Sequence, residues 1–586
     1  MTDKRRKSTT IRLAGESGEG VVSSGQILTD ALIEQGFAIL TYQTFPAEIK
    51  GGHCWYQVRG SAHPLDTPGD RADILVSFNQ EGFDTHIDDL RSGGLIIYDS
   101  DAVTPVDVPK AHLFPVPIGK IAADEVGSPR SKNVLAAAIL ARLLGLPEEE
   151  LADSVTKKFK HKGAKVVEVN VKAVTAAYGL KLPEVEMDFA LTRTDTETAE
   201  PIGAYAMTGN DALVLGALVG GCKFFAGYPI TPASTILEAM MRELPAWGGS
   251  AIQAEDEMSA LTHCLGASFA GAKVMTATSG PGFSLMIELL GHASTVELPV
   301  VIVDAQRGGP STGLPTKYEQ SDLNAAVYSG HGDTPRIVLA PSTVRENFDL
   351  TVKAFNLAEH YQVPVILLTD NALATRLERV TLPDLNTVEV EDRILATPEP
   401  DEKHYKRYKF TENGVSPFPV PGTPGGMYVC EGLEHDETGK PNYTGENHVA
   451  MNNKRYGKLE DCARRETGYY DFGAVDPDLV IVGWGAIAGT VREAVDRLTG
   501  EGLHVGGTVI TMLSPFPLAV RDRLRKAKKV LVVEGNYTGQ LAQLIEAYNP
   551  IVPEKLAVAS AGLIPVESVE KVAKRLLNVQ EVQVRE

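Results

Sequence analysis

Between Tyr228 and Gly313, four short turns carry the residues best suited to chemistry. In the first, Tyr228-Pro229-Ile230-Thr231-Pro232, Thr231 has the form of a helix N-cap with proline at the first helical position. Its hydroxyl and the free amides behind it offer donors to a carboxylate. In the second, Glu255-Asp256-Glu257 opens a helix expected over 255–272, with Met258, Leu261, Leu265 and Phe269 on its buried face. Acids in a first helical turn complement the helix dipole. Glu257 also lies beside that buried face at the crevice edge, where loss of water raises a carboxyl pKa. The third turn, Ser279-Gly280-Pro281-Gly282-Phe283, brings bare backbone close to a flat or anionic ligand. The fourth sets Arg307 among glycines, placed for bidentate pairing with a carboxylate. Taken singly, each feature also reads as a cap, a dipole complement, a packing turn or a surface arginine.

Each turn follows an apolar run that reads as a buried parallel strand: 222–226, 251–254, 273–277 and 299–305. In an open α/β sheet, ligands sit outside the carboxyl ends of the strands, so the four turns outline one crevice. Strands over 337–341 and 363–368 and a helix over 344–359 extend the same domain.

The fold class expected is α/β, with three open, mostly parallel domains. Residues 1–182 form the first, with a strand over 10–14, the turn Gly15-Glu-Ser-Gly-Glu-Gly20 and a helix over 21–35 burying Ile27, Leu28, Ala31 and Leu32. The glycine spacing is the reverse of a dinucleotide fingerprint and the second strand ends in Tyr-Gln-Thr, which excludes NAD. The turn still suits an anion at a helix N-terminus or simple packing. Phe45-Pro-Ala-Glu-Ile-Lys-Gly-Gly-His53 is a second polar turn expected beside it. Residues 183–203 are acidic, Thr-rich and aperiodic, a linker. The crevice domain spans 204–381, opened by Thr208 and Asp211 in a capping-box pattern for a helix over 211–219. A connector over 382–476 reads as loop, within which Glu434, His435 and Asp436 form a surface turn rather than a metal site. The last domain spans 477–586, with strands over 479–483, 504–510 and 529–534 and a helix over 487–498. The turns Gly483-Trp-Gly485 and Glu534-Gly-Asn-Tyr-Thr-Gly539 are expected to face an interface.

Composition narrows the function classes. Fifty-six Lys and Arg against 76 Asp and Glu give a net charge of -20, which argues against nucleic acid. No apolar run is long enough to span a bilayer and the N-terminus has no signal segment, so a cytoplasmic protein without membrane contact is expected. The five cysteines, Cys54, Cys222, Cys264, Cys430 and Cys462, lie far apart without a Cys-x-x-Cys pair. Neither zinc nor an iron-sulfur cluster fits that spacing; they read as small buried residues. No metal ligand is assigned to this chain.

Together the motifs from Tyr228-Pro-Ile-Thr-Pro through Glu255-Asp-Glu257, Thr278-Ser-Gly-Pro-Gly-Phe-Ser-Leu-Met286 and Gln306-Arg-Gly-Gly-Pro-Ser-Thr-Gly313 to Gly330-His-Gly-Asp333 resemble the α subunit of 2-oxoacid:ferredoxin oxidoreductases. The N-terminal domain resembles that family's γ subunit, fused ahead of α. Gly432-Leu-Glu-His-Asp436 and 455–459 resemble its connector, and the last domain resembles the C-terminal domain of transketolase-like enzymes.

The resemblance implies thiamine diphosphate chemistry, in which the chain holds the aminopyrimidine half of a cofactor shared with a β subunit. Glu257, followed by Gly266 at the family's acid-to-glycine spacing, matches the glutamate that activates the ring. Tyr228, Pro229, Ile230, Ser279, Gly280 and Phe283 line the same half-site, and Thr231 and Arg307 match the positions that hold the substrate carboxylate. Gly-Asp-Gly, which begins the metal and diphosphate motif, is absent. Mg2+ and a 4Fe-4S cluster are therefore expected in the β subunit. The implied reaction is oxidative decarboxylation of 2-oxoglutarate with coenzyme A to succinyl-CoA and CO2. Electrons pass to ferredoxin, and the assembly is an α2β2 heterotetramer. Lys317, close to Arg307, is a candidate for the second carboxylate. Pyruvate or a branched 2-oxoacid would use the same motifs; a non-catalytic scaffold subunit is the rival of another class.

Overall fold

The computed structural model describes residues 8–44, 46, 51–185, 187–191, 204–399 and 404–579. By its contacts the chain divides into two units, Met1–Met207 with Arg376–Leu382, and Thr208–Thr375 with Pro383–Glu586.

The first unit is built on an eight-stranded sheet in the order His112–Val116, Leu90–Asp99, Ala72–Ser77, Ser8–Glu16, His53–Ser61, Ala38–Thr44, Leu377–Thr381, Ala204–Thr208. Only the first four are mutually parallel; Ser8–Glu16, His53–Ser61, Ala38–Thr44 and Leu377–Thr381 pair antiparallel in succession. This half of the sheet departs from the mostly parallel expectation because His53–Ser61, which follows Ala38–Thr44 as the next strand in sequence, inserts antiparallel between that strand and Ser8–Glu16. Helix Val21–Glu34 buries Ile27, Leu28, Ala31 and Leu32 as its spacing predicts. At the glycine turn before it, the Glu19 carboxylate accepts from the Glu16 amide at 2.8 Å and from Asn79 Nδ2 at 2.9 Å. A protein carboxylate thus already faces the turn expected to suit an anion.

The stretch expected as a linker is partly structured. Phe189 and Leu191 are buried in this unit's core, and Thr9 Oγ1 donates to the Phe189 carbonyl at 2.9 Å. Two apolar side chains in an acidic run are enough to pin it. Residues 192–203 of that linker, and residues 45 and 47–50 of the second polar turn, lie outside the described residues.

The second unit holds two sheets. The larger runs Met512–Ser514, Ile337–Leu339, Pro364–Asp370, Val300–Gln306, Val274–Thr278, Phe224–Gly227, Ser250–Gln253, all parallel except the first. Its central strand Val300–Gln306 is buried on both faces: Val301, Val303 and Ala305 pack to one side, Val300 and Ile302 to the other. The smaller sheet runs Tyr469–Gly473, Val505–Ile510, Leu479–Gly483, Val530–Glu534, Glu554–Ala557, parallel but for the edge strand Tyr469–Gly473.

The connector is not all loop. It contains a 21-residue helix, Gly445–Arg465, capped by Thr444. Its buried face holds Lys454, Arg455 and Lys458 beside Met451, Leu459 and Cys462, so the apolar periodicity that reveals helices is missing. The lysines reach Glu297, whose carboxylate accepts from both Lys454 and Lys458 at 2.6 Å. Arg407 donates to the Glu297 carbonyl at 2.8 Å. In the Glu434-His435-Asp436 turn the two acids are half-buried at the surface and only His435 is buried. Glu434 pairs with Arg455 at 2.8 Å, Asp436 accepts from the Thr438 amide at 2.7 Å, and His435, 1% exposed, lies against the Tyr408 ring. Cys430 is exposed, unlike the other four cysteines, which are buried as expected. Among the described residues no helix is long and apolar enough to cross a membrane.

Candidate active site

The four turns lie at the carboxyl ends of four adjacent parallel strands, as the crevice reading requires. In the second turn three acids take three environments. Glu255 is exposed; Asp256 is the N-cap, accepting from the Ser259 amide at 2.7 Å; Glu257 is the first residue of helix Glu257–Phe269 and 6% exposed. The cap at Asp256 is why the helix starts later than 255. Its buried face is Glu257, Ala260, Leu261, Cys264, Leu265 and Ser268. Met258, expected on that face, is 46% exposed, because the alternation of three and four steps that includes Glu257 turns it outward. Gly266 is also exposed, with open space where a side chain would be.

The Glu257 carboxylate has no hydrogen-bond partner among the described residues. It lies against Gly282 in the first turn of helix Gly280–Thr295. A Cβ on Gly282 would overlap Thr278 Oγ1 and Glu257 Oε1, and come within 2.6 Å of Glu257 Cγ. Glycine is required there by close approach. Ser279, the N-cap, makes no capping bond, and its Oγ is buried without a partner; Phe283 is fully buried beneath the turn.

Thr231 does not cap a helix. The Thr231–Pro232 peptide is cis, and the helix begins at Ser234 behind Ala233, which has no side-chain acceptor. What Thr231 supplies is its carbonyl, which accepts from Arg307 Nη1 at 2.7 Å; Arg307 Nη2 donates to the Thr312 carbonyl at 3.1 Å. Arg307 Nε is buried without an acceptor. Burial depresses this guanidinium's pKa, with Asp322 opposing. Lys317 follows on the same loop, closed by the Leu314 amide on the Gly308 carbonyl at 2.7 Å. No carboxylate among the described residues pairs with Lys317, and burial lowers its pKa.

The C-terminal turns expected at an interface hold this loop in place within the unit. Gln320 Nε2 donates to the Trp484 carbonyl at 2.8 Å, and Gln320 Oε1 accepts from the Gly535 amide at 2.9 Å. Gln540 Nε2 reaches the Ser321 carbonyl at 2.8 Å. Around the crevice Tyr228 is 39%, Leu285 49% and Leu314 43% exposed, which with Met258 makes an apolar rim. Pro229 is exposed and Ile230 half-buried beside Tyr228; His331 and Asp333 of the Gly-His-Gly-Asp motif are exposed.

Two acids were not singled out by the sequence reading. Asp304 is fully buried in strand Val300–Gln306, and Asp322 opens the short helix after the Arg307 loop. An aspartate in the run Val-Val-Ile-Val-Asp-Ala was the available signal, since a charged residue in a buried strand needs a reason.

Comparison with known proteins covers nearly all of this architecture. The family described as "Pyruvate flavodoxin/ferredoxin oxidoreductase, thiamine diP-bdg" matches residues 215–454. "Pyruvate ferredoxin/flavodoxin oxidoreductase" matches 10–180, and "Pyruvate:ferredoxin oxidoreductase core domain II" matches 477–582. The chain is 33% identical to 2-oxoglutarate oxidoreductase subunit KorA of Mycobacterium tuberculosis, over 92% of this chain and 87% of that one. It is 41% identical to 2-oxoglutarate synthase subunit KorA of Methanocaldococcus jannaschii over 61% of this chain and 94% of the other. Among solved structures, a 2-oxoglutarate:ferredoxin oxidoreductase from Magnetococcus marinus, with 2-oxoglutarate, coenzyme A and succinyl-CoA bound, superposes with a TM-score of 0.92 at 39% identity. That match covers 98% of this chain and 100% of the other.

Proposed function

The chain belongs to the 2-oxoacid:ferredoxin oxidoreductase family as an α subunit, and from that premise we propose that it takes 2-oxoglutarate, giving succinyl-CoA and CO2 with coenzyme A and ferredoxin. The observation that carries the reading is Glu257, a buried carboxylate at the crevice with no hydrogen-bond partner among the described residues, set against the bare backbone of Gly282. That slot, with the partnerless Ser279 Oγ beside it, fits a flat heterocycle with ring nitrogens and an exocyclic amine. Glu257, Ser279, Gly280 and Phe283 would hold the ring, with Tyr228, Pro229 and Ile230 closing the opposite wall. Thiamine diphosphate, when bound, supplies the carbanion that adds to the 2-oxo carbon and takes up the electron pair as CO2 leaves.

Glu257 would hydrogen-bond a ring nitrogen of that heterocycle, the position from which a carboxyl group does general acid-base work. Arg307, with two of its five N–H donors on carbonyls, would offer the remaining donors and its charge to the substrate 1-carboxylate, with Thr231 beside it. Lys317, which pairs with no carboxylate among the described residues, would meet the distal carboxylate that distinguishes 2-oxoglutarate from pyruvate. The apolar rim of Tyr228, Met258, Leu285 and Leu314 supports a β subunit there. That subunit would bring Mg2+, the diphosphate site and a 4Fe-4S cluster in a cytoplasmic α2β2 assembly.

The test is Glu257→Gln in the reconstituted complex, read as oxoacid-dependent viologen reduction. A fall of about 100-fold or more is expected. An unchanged rate would mean that the crevice only scaffolds its partner.

A further inference from the structure

The backbone under Arg307 is braced by the far end of its own loop. The Arg307 carbonyl accepts from Ser321 Oγ at 3.4 Å, Gln306 Oε1 accepts from the Asp322 amide at 3.1 Å, and the Gly308 amide donates to the Lys317 carbonyl at 3.0 Å. Residue 307 and both its chain neighbours are thus tied to the segment 317–322. At the centre of that segment lies Gln320, 0% exposed, and all four of its polar groups bond the C-terminal domain. Its amide donates to the Gly535 carbonyl at 2.6 Å, and its carbonyl accepts from Asn536 Nδ2 at 3.0 Å. Its Oε1 accepts from the Gly535 amide at 2.9 Å, and its Nε2 donates to the Trp484 carbonyl at 2.8 Å. Beside it, Gln540 Nε2 donates to the Ser321 carbonyl and Gln540 Oε1 accepts from the Asn324 amide, both at 2.8 Å. The fit is close. A Cβ on Gly485, whose φ is 56°, would come within 2.6 Å of Gln320 Nε2, and one on Gly535 within 2.6 Å of Tyr318 Cε1. The Trp484 turn is itself fixed to the crevice sheet, because the Ala486 amide donates to Asp370 Oδ2 at 3.0 Å. A fully satisfied buried polar network of this kind admits one arrangement, since any shift leaves a group unpaired away from water.

We propose that Gln320 is a positioning residue for the oxoacid: through it the C-terminal domain sets where the Arg307 guanidinium stands, and so how tightly the substrate carboxylate is held. The inference rests on Arg307 as the substrate anchor. Two of the Arg307 donors are committed to the Thr231 and Thr312 carbonyls, and Thr312 lies on the braced loop, so the direction of the remaining donors follows the backbone beneath them. Recognition of a carboxylate by a guanidinium depends on that direction as well as on charge, and a displacement of about 1 Å costs up to about 100-fold. The slot formed by Glu257, Ser279 and Gly282 takes part in none of these bonds. Gln320 therefore acts on the oxoacid and not on the heterocycle, and it does so through Arg307 without touching substrate.

The experiment is Gln320→Leu in the reconstituted enzyme, which removes the side-chain bonds to Gly535 and Trp484 while keeping the volume. KM for 2-oxoglutarate is expected to rise about tenfold, with kcat and the calorimetric affinity for thiamine diphosphate each within about twofold of wild type. In an Arg307→Gln background, where the anchor is already gone, the same substitution is expected to raise KM by less than about twofold. An unchanged KM in Gln320→Leu, a full tenfold rise that persists in the Arg307→Gln background, or an equal loss of thiamine diphosphate affinity overturns the proposal while leaving the anchor standing. A wild-type KM in Arg307→Gln alone overturns the anchor and the proposal with it. Should Gln320→Leu not assemble, Gln540→Leu decides, since it releases Ser321 and Asn324 from the edge of the same brace. A KM raised about threefold or more at unchanged cofactor affinity supports the proposal, and a smaller change overturns it.

Discussion

Arg307 Nη1 donates to the backbone carbonyl of Thr231 at 2.7 Å, tying the fourth crevice turn to the first. The guanidinium proposed to hold the substrate is therefore oriented by main chain, which no side-chain substitution at 231 removes. Arg307→Lys keeps the charge but loses the fork that spans two carbonyls. With charge-assisted bonds worth about 1.5–3 kcal/mol, KM for the oxoacid should rise about 10- to 100-fold. Thr231→Ala should raise it by less than Arg307→Lys, measured by steady-state kinetics on the same preparation.

Lys317 has no carboxylate partner among the described residues, so its removal should not unpair a protein charge. Lys317→Ala is expected to raise KM for 2-oxoglutarate by about tenfold or more while KM for pyruvate stays within about twofold. Equal losses with both substrates would show that Lys317 does not read the distal carboxylate.

Gly282 has no room for a methyl group. Gly282→Ala should displace the Glu257 side chain or the turn, and thiamine diphosphate binding by the complex should weaken by about 10-fold or more. Calorimetry with the cofactor and Mg2+ checks it, with circular dichroism to verify the fold.

Glu297 faces Lys454 and Lys458 in the connector, all three buried. Replacing it by Gln leaves two buried ammonium groups without their counter-charge, a loss of about 3–5 kcal/mol. Hydrogen exchange in helix Gly445–Arg465 should accelerate accordingly. Burial alone would raise this carboxyl's pKa, but the two lysines and Arg407 carry it well below the carboxylate range. A depressed folded pKa means stability that is present above the ordinary carboxylate pKa and lost as pH falls below it. The helix should therefore loosen under acid conditions, beginning below about pH 4.5. Lys454, lowered by burial to about 7, acts in the opposite sense from a salt-bridged lysine: the folded chain binds its proton less readily than the unfolded one, so its contribution grows as pH rises above about 7.

The sheet strands and the four turns were legible because buried parallel strands are short apolar runs and turns are marked by Gly, Pro, Ser and Thr. Glu257 was separable from Glu255 by its place next to the apolar face, and the structure puts one inside and the other outside. Legibility failed where local rules compete with distant partners. Thr231 has cap chemistry but spends its carbonyl on Arg307. Helix Gly445–Arg465 hides because its inward face is basic, satisfied by Glu297 far away in sequence and by Glu434 in the preceding turn. The outer edge of the antiparallel half of the N-terminal sheet is Leu377–Thr381 against Ala38–Thr44, which no reading of the first 182 residues contains.

That late strand sets a limit on how the polypeptide can be divided. Leu40 pairs with Glu378, and the Leu377 amide donates to Thr41 Oγ1 at 2.8 Å, so an N-terminal fragment made alone would lack a neighbour along Ala38–Thr44. Open backbone of that kind invites strand exchange between copies. A split-gene version of this subunit would need a surrogate for the missing ribbon, such as a grafted segment 376–382, before its front half could be handled as a soluble piece.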